Sequence, residues 1–224
     1  MSLAETATHK SSVFKWVVLY GLCFIGAAAA LRRIAVLLFP PSAPRVPQLA
    51  NLDAQFAARS TLTLLHIVPA LFFVVLLPWW FSGRVRQTPR AHRRLTWGLF
   101  ILGAVVGLTA LPLVARPVGG TTEVAAILLF DSIFLFSLAR AWLLFLRGEA
   151  ARYREWMMRA ISVLLGIATT RPVMGVFFAT ARLTHLEPHQ FFGIAFWIGF
   201  SATYLAGEAY LHNHPVPSDA LAQS

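Results

Sequence analysis

Six stretches of this 224-residue chain run with few charges for the length a membrane crossing needs: 13–39, 61–81, 95–115, 122–146, 156–181 and 189–211. About twenty residues of α-helix, rising ~1.5 Å each, cross the ~30 Å hydrocarbon core of a bilayer. No water reaches the backbone there, so a spanning segment must be a helix or part of a closed barrel, and barrel strands are about half this length. The expected fold is therefore all-α. It is a polytopic bundle of about six transmembrane helices, one transmembrane domain over 1–224, with a polar tail at 212–224.

Composition agrees and narrows the choice. Only 12% of residues are charged and 58% are hydrophobic. Soluble domains carry about 25% charged residues, and half that supply cannot cover a water-facing surface. The charges are also lopsided, 19 Lys+Arg against 9 Asp+Glu, formally +10. A basic excess points to nucleic acid or to membrane. The apolar runs decide for the lipid bilayer as partner, with no nucleic acid. Lys10 and Lys15 ahead of the Ala27–Ala30 run look like a signal peptide, but apolar sequence continues past Arg32 and Arg33, so we read this segment as a retained first helix. The single cysteine, Cys23, lies in that run and reads as a buried, inert thiol.

The basic residues set the orientation. Arg84, Arg86, Arg90, Arg93 and Arg94 crowd one connection. Arg147, Arg152, Arg154 and Arg159 crowd another, and Lys10 and Lys15 precede the first span. With six spans all three groups share one side, which the positive-inside rule makes cytoplasmic, together with both termini. The other side still carries Arg32, Arg33, Arg45 and Arg59. Trp16, Trp79, Trp80, Trp97, Trp142 and Trp156 fall near the cytoplasmic helix ends and mark one headgroup interface. The expected location is the inner (plasma) membrane, multi-pass.

Gly103-x-x-x-Gly107 places small residues where helix backbones approach closely, read as packing within the bundle, with a homo-oligomer seam as the alternative. The two arginine-rich connections are weakly alike, Arg86-x5-His92-Arg93-Arg94 against Arg147-x5-Tyr153-Arg154-Glu155. Short cytoplasmic loops attract arginine in any case, and that reading is preferred to a duplication.

Ionisable residues inside the bilayer are functional candidates by default. Asp131, Arg140, Arg171 and Glu208 qualify, with His66 as a titratable companion. Counted at ~1.5 Å per residue from the cytoplasmic helix ends, His66, Asp131 and Arg171 lie roughly 20–23 Å in, and Arg140 and Glu208 roughly 5–9 Å in. The expectation is two layers. The outer is an intramembrane polar pocket of His66, Asp131 and Arg171, with Asp131 facing Arg171. The inner is a charge layer of Arg140, Arg159 and Glu208. Buried pairs that only fix helix register account for the same residues. A pocket would use His66, whose side chain titrates near neutrality, as proton carrier.

Other chemistry has less support. His185-x-x-x-His189 has helical ligand spacing, but Pro188 interrupts it and no third ligand follows. Haem b between two histidines needs both at one depth, whereas His66 is deep and His92 superficial, roughly 20 Å apart. Met174 is the other conceivable ligand. No cofactor and no metal site are therefore expected. No nucleophile elbow, phosphate loop or dinucleotide fingerprint occurs, so nothing marks an enzyme.

From about Thr61 to Leu211 the chain resembles the predicted bacterial membrane proteins grouped as domain of unknown function family 2306. The resemblance is carried by Leu65-His66, by Arg84-x-Arg86 followed by His92-Arg93-Arg94-Leu95 and Gly98, by Tyr153-Arg154-Glu155-Trp156-Met157-Met158-Arg159 with Arg171 beyond it, and by Trp197 followed by Ala206-Gly207-Glu208-Ala209-Tyr210. The chain departs from the family where members often have His in place of Tyr153 and Asn before the last acidic residue. The resemblance implies a multi-helix membrane fold without an assigned activity. It points to His66, His92, Arg159, Arg171 and Glu208, with His92 and Arg93 on the cytoplasmic connection. The functional expectation is a small proton-linked carrier or transport component acting on a proton or small-molecule substrate. The alternatives are a haem-binding or redox membrane component and a non-catalytic assembly protein.

Overall fold

The computed structural model describes residues 3–40 and 53–214. Arg45, residues 215–224 of the expected tail and the side chain of Lys10 lie outside the described residues. The described chain is helical and contains no strand. Its long helices are α1 (Leu3–Leu38), α2 (Ser60–Phe81), α3 (Pro89–Leu113), α4 (Gly120–Leu146), α5 (Ala150–Thr184) and α6 (Pro188–Asn213), with short helical turns at 53–57 and Gly83–Arg86.

Helix ends follow local chemistry. Proline sits in the first turn of α3 and of α6, where its missing N–H costs nothing. Glu187 and Gln190 form a reciprocal capping box at the start of α6. Gly120 and Gly148 take positive φ between helices, and His185 closes α5 in the left-handed region usually left to glycine. α1 runs unbroken through Arg32 and Arg33.

α1 to α5 are each long and apolar enough to cross a membrane. α6 is as long but is not among them, and Thr203, Tyr204 and Glu208 lie in its inner half. The five spanning helices make a multi-pass integral membrane protein. The sixth run nevertheless traverses the bundle, because α6 lies antiparallel along α5 from Phe177 beside Phe191 to Arg159 on Glu208. Lys15 Nζ lies 2.9 Å from His214 Nε2, which brings the start of α1 and the end of α6 to one end. That end also holds the arginine-rich connections, joined where His92 meets Tyr153 at 2.7 Å.

Neighbour contacts close a ring. α1 packs on α2, α2 on α3, α3 on α4, α4 on α5 and α5 back on α1, while α6 fills the outer groove between α4 and α5. Glycine makes two of these seams possible. A Cβ on Gly103 would meet Leu138 at 3.0 Å, and one on Gly107 would lie 2.8 Å from Leu135 Cγ. The spacing seen in sequence thus serves packing of α3 on α4 inside the bundle. The closer seam was not anticipated: Gly199 rests on the Thr170 backbone, where a Cβ would come within 2.7 Å of the amide nitrogen, and Gly207 faces Ser162.

Aromatic rings gather at the arginine-rich end. Trp97 meets Trp142, Phe100 meets Trp142, and Trp16 meets Phe81. Trp80 departs from the interfacial role expected of it. It is 1% exposed and donates its indole N–H to Thr96 Oγ1 at 3.2 Å, a core contact between α2 and α3.

Gly199→Val should prise α6 from α5 and cost about 1–3 kcal/mol by overpacking. The readout is a lower unfolding midpoint in detergent. Gly21→Ala, where a Cβ meets nothing within 4 Å, should leave that midpoint unchanged.

Candidate functional site

The ring encloses a cavity of about 240 Å³ that opens toward the end opposite the arginine-rich connections. Small residues on α1, Gly26, Ala29 and Ala30, keep that wall back from the centre, and α2 to α6 supply the rest. The lining is mostly apolar, and it brings together His66, Asp131 and Arg171 from three helices.

His66 and Asp131 flank the same turn of α3. His66 Nδ1 lies 3.1 Å from Val106 O and 3.1 Å from Thr109 Oγ1. The Thr109 hydroxyl itself donates to Val105 O at 2.6 Å, so its oxygen must accept from the ring. The proton of neutral His66 therefore sits on Nδ1 and leaves the Nε2 lone pair free. Across that turn, Asp131 Oδ1 lies 3.3 Å from where a Gly107 Cβ would be, and Asp131 Oδ2 is buried with no partner among the described residues. An ionised carboxylate in that position is costly, so the group must hold a proton or meet a donor that enters the cavity.

Arg171 does not pair with Asp131. Among the described residues no ion pair joins them, and Arg171 Nε is buried without a partner. The charges acting on Arg171 are those of Arg33 and Arg32, both positive. Its helix neighbour Thr170 packs against Gly199 of α6, and α6 in turn sets Gly193 against Glu123 at the start of α4. Arg171 thus lies about one helical turn (~5 Å) outward of Asp131, between it and Glu123 at the start of α4. Counting residues along separate helices ignored their stagger and set the three side by side.

The mouth holds groups the sequence did not single out. Asp53 is bound by Arg33, and by Arg32 at 3.1 Å. The Arg33 guanidinium also lies 4.2 Å from the Phe56 ring centroid. Arg59 donates to Arg116 O at 3.0 Å and to Leu113 O at 3.4 Å, where α3 ends and its carbonyls lack helical partners. Glu123 accepts the Gly119 amide at 2.6 Å and caps the start of α4. The one available signal was that Arg32, Arg33 and Arg59 break the positive-inside pattern.

The inner layer resolves differently. Arg159 grips Glu208 through two hydrogen bonds, Nε to Oε1 at 2.8 Å and Nη2 to Oε2 at 3.3 Å. Arg140 takes no part in that pair and lies 5.6 Å from the Trp156 ring centroid, with Arg159 at 4.8 Å from the same ring. Arg159 and Glu208 border a shallow groove on α4, α5 and α6, apart from the central cavity.

On the arginine-rich connection, His92 Nε2 is engaged by Tyr153, its ring lies 5.9 Å from that of Trp80, and Nδ1 is buried without a partner among the described residues. Arg93 beside it is exposed. Arg86 lies over Trp80, and burial first, then the neighbouring Arg154, hold its guanidinium below the ordinary arginine value. Arginine stays charged even so.

His66 is level with Val106 and His92 lies 14 residues earlier on the same helix, a separation of about 21 Å. Those two rings cannot share one iron. Met174 is buried in the core. His189 Nδ1 meets Glu187 Oε2 at 3.2 Å on the exposed start of α6, and no three His, Cys, Asp or Glu side chains converge as a metal set among the described residues.

Comparison with protein-family models, with curated proteins and with solved structures finds no match to this chain. The resemblance to family 2306 thus rests on the quoted segments alone.

The pairings make a quantitative expectation. Destabilisation by Asp131→Asn and Arg171→Gln should add within about 0.3–0.5 kcal/mol, as for groups that share no contact. Arg159→Gln and Glu208→Gln should couple by about 0.5–3 kcal/mol in the same double-mutant cycle. Unfolding midpoints of the four single and two double variants in detergent decide both; strong coupling of the first pair would show that Asp131 and Arg171 do meet.

Proposed function

We propose that this protein is a small proton-linked carrier, or the membrane component of one, whose substrate enters the central cavity. One observation carries the reading: the cavity is lined by an imidazole held to α3 through Nδ1 alone and by a carboxylate whose buried Oδ2 has no partner among the described residues, on opposite sides of one turn of α3. A salt bridge kept only for register would leave no such groups, since unpaired buried polar atoms cost stability without return. Two proton-accepting groups at one level can load from the mouth and exchange protons with whatever occupies the cavity.

The bacterial inner membrane is the proposed location, on the distribution of arginine. Membership of family 2306 is part of the proposal, on the segments around His66, Arg159, Arg171 and Glu208. The assembly reading has its own support in the Arg159–Glu208 pair, which is closed on itself and needs no ligand.

A carrier must expose its cavity to water, and protons must bias that exposure. In a Cys23→Ser background, Ala30→Cys on the α1 wall should react with a membrane-impermeant maleimide added from the outer side. The rate should change several-fold with pH, because protonation of His66 or Asp131 changes the charge on the cavity wall. Asp131→Asn with His66→Gln should make the rate independent of pH. Labelling that is absent, or that ignores both pH and these substitutions, would favour the assembly reading.

A further inference from the structure

The cavity differs along its length. Arg33, Arg59 and Arg116 line its outer end, and Arg171 lies between them and Asp131. Three are answered: Arg33 by Asp53, Arg59 by the carbonyls that end α3, and Arg116 by its exposure. Arg171 is not. Its Nε is buried and unpartnered among the described residues, and the charges acting on it are positive. The two carboxylates of the lining lie elsewhere, Glu123 on the Gly119 amide and Asp131 on the α3 turn at Gly107. Inward from Arg171, beyond His66 and Asp131, the walls become apolar. Val163 is eight residues along α5, about 12 Å deeper, and Gly26, Val74 and Phe134 line the cavity with it.

We infer that the cavity binds an amphiphilic organic anion, its carboxylate or phosphate head on Arg171 and its single short apolar chain running inward past His66 and Asp131. This rests on the carrier reading only for what the binding is for. A guanidinium held inside a membrane without a counter-charge is costly, and a planar fork of donors fits a two-oxygen anion best. The apolar depth excludes a small hydrophilic ion as the best occupant, since water would have to be held against Val74, Phe134 and Val163. The volume, about 240 Å³, lies below the ~300 Å³ at which drug-sized pockets begin, so one short chain fits and a two-chain phospholipid does not.

The test uses the full chain in nanodiscs of zwitterionic lipid and reads the rise in unfolding midpoint against free probe concentration. Octanoate should stabilise saturably. Methyl octanoate, with the same chain and no charge, should need at least about tenfold more, the scale of a lost charge-assisted hydrogen bond. Acetate and inorganic phosphate should fall well short of octanoate. Arg171→Gln should bring octanoate down to its methyl ester, and Arg171→Lys, which keeps the charge but not the fork, should retain part of the difference. Equal response to octanoate and methyl octanoate in the unsubstituted protein overturns the charged head, whether or not Arg171→Gln folds. Acetate or phosphate matching octanoate overturns the apolar chain, and tighter binding of octyltrimethylammonium overturns the sign. Octanoate binding without pH-dependent labelling at Ala30→Cys upholds the ligand and removes the carrier; labelling without octanoate binding does the reverse.

Discussion

A guanidinium or carboxylate carried into hydrocarbon loses hydration worth several kcal/mol, and the placement of each charged side chain among the helices answers to that loss. Arg32 and Arg33 share Asp53, and Arg159 takes Glu208 through two hydrogen bonds. Arg59 uses the bare carbonyls at the end of α3, and Arg140 lies over the Trp156 ring. Glu123 sits on a helix-start amide, where the dipole favours an anion. Against that consistency Asp131 and Arg171 stand out. Both line the cavity, and among the described residues both keep a buried polar atom unpaired and no ion pair joins them. A chain that satisfies its other intramembrane charges has kept these two available.

The ring explains how they stay apart. Five helices in a closed circuit cannot all touch at the centre, and the small residues of α1 widen the gap further. α6 lies outside the circuit, but Phe192, Phe196 and Phe200 reach the cavity from it and seal the groove between α4 and α5. That seal depends on how closely α6 can come, which Gly193, Gly199 and Gly207 decide against the backbones and side chains opposite. A seam of van der Waals contact and small residues thus holds the cavity wall, as expected where lipid supplies no hydrophobic drive between helices.

Much of the fold was legible in the sequence because the bilayer imposes a length. Each apolar run became a helix, with α3 and α5 beginning six residues earlier because their amphipathic first turns lie outside the runs. The meeting of His66, Asp131 and Arg171 in one cavity was also legible, since a bilayer leaves polar groups few other places. Their grouping was not. Depth counted along each helix misses stagger, so Arg171 was set beside Asp131 instead of a turn outward of it, and the choice of Arg159 over Arg140 for Glu208 depends on rotation about the helix axis. Arg59 signalled only that it breaks the positive-inside pattern, because its partners are carbonyls more than fifty residues away. Trp80 misled through composition: an indole near a helix end reads as an interface anchor until a Thr96 hydroxyl across the hairpin takes its N–H.

The walls of the cavity are unequally held. Half of the apolar window of α5 is buried against other helices, but only 6% of that of α1. α1 meets the ring through Cys23, Gly26 and its alanines on one face, and through Arg33 and Asp53 at the mouth. Moving α5 would break the core and its glycine seam with α6. Moving α1 would uncover little apolar surface that lipid could not cover equally well, because lipid and leucine are alike in hydrophobicity. The strongest local tie on α1 is then the electrostatic one at its outer end, where two guanidiniums share one carboxylate beside Arg171. An anion seated on Arg171 would lower the like-charge repulsion among Arg32, Arg33 and Arg171 and draw that end of α1 inward. Occupancy of the site at Arg171 and the position of the least anchored wall would then be coupled through one cluster of charges.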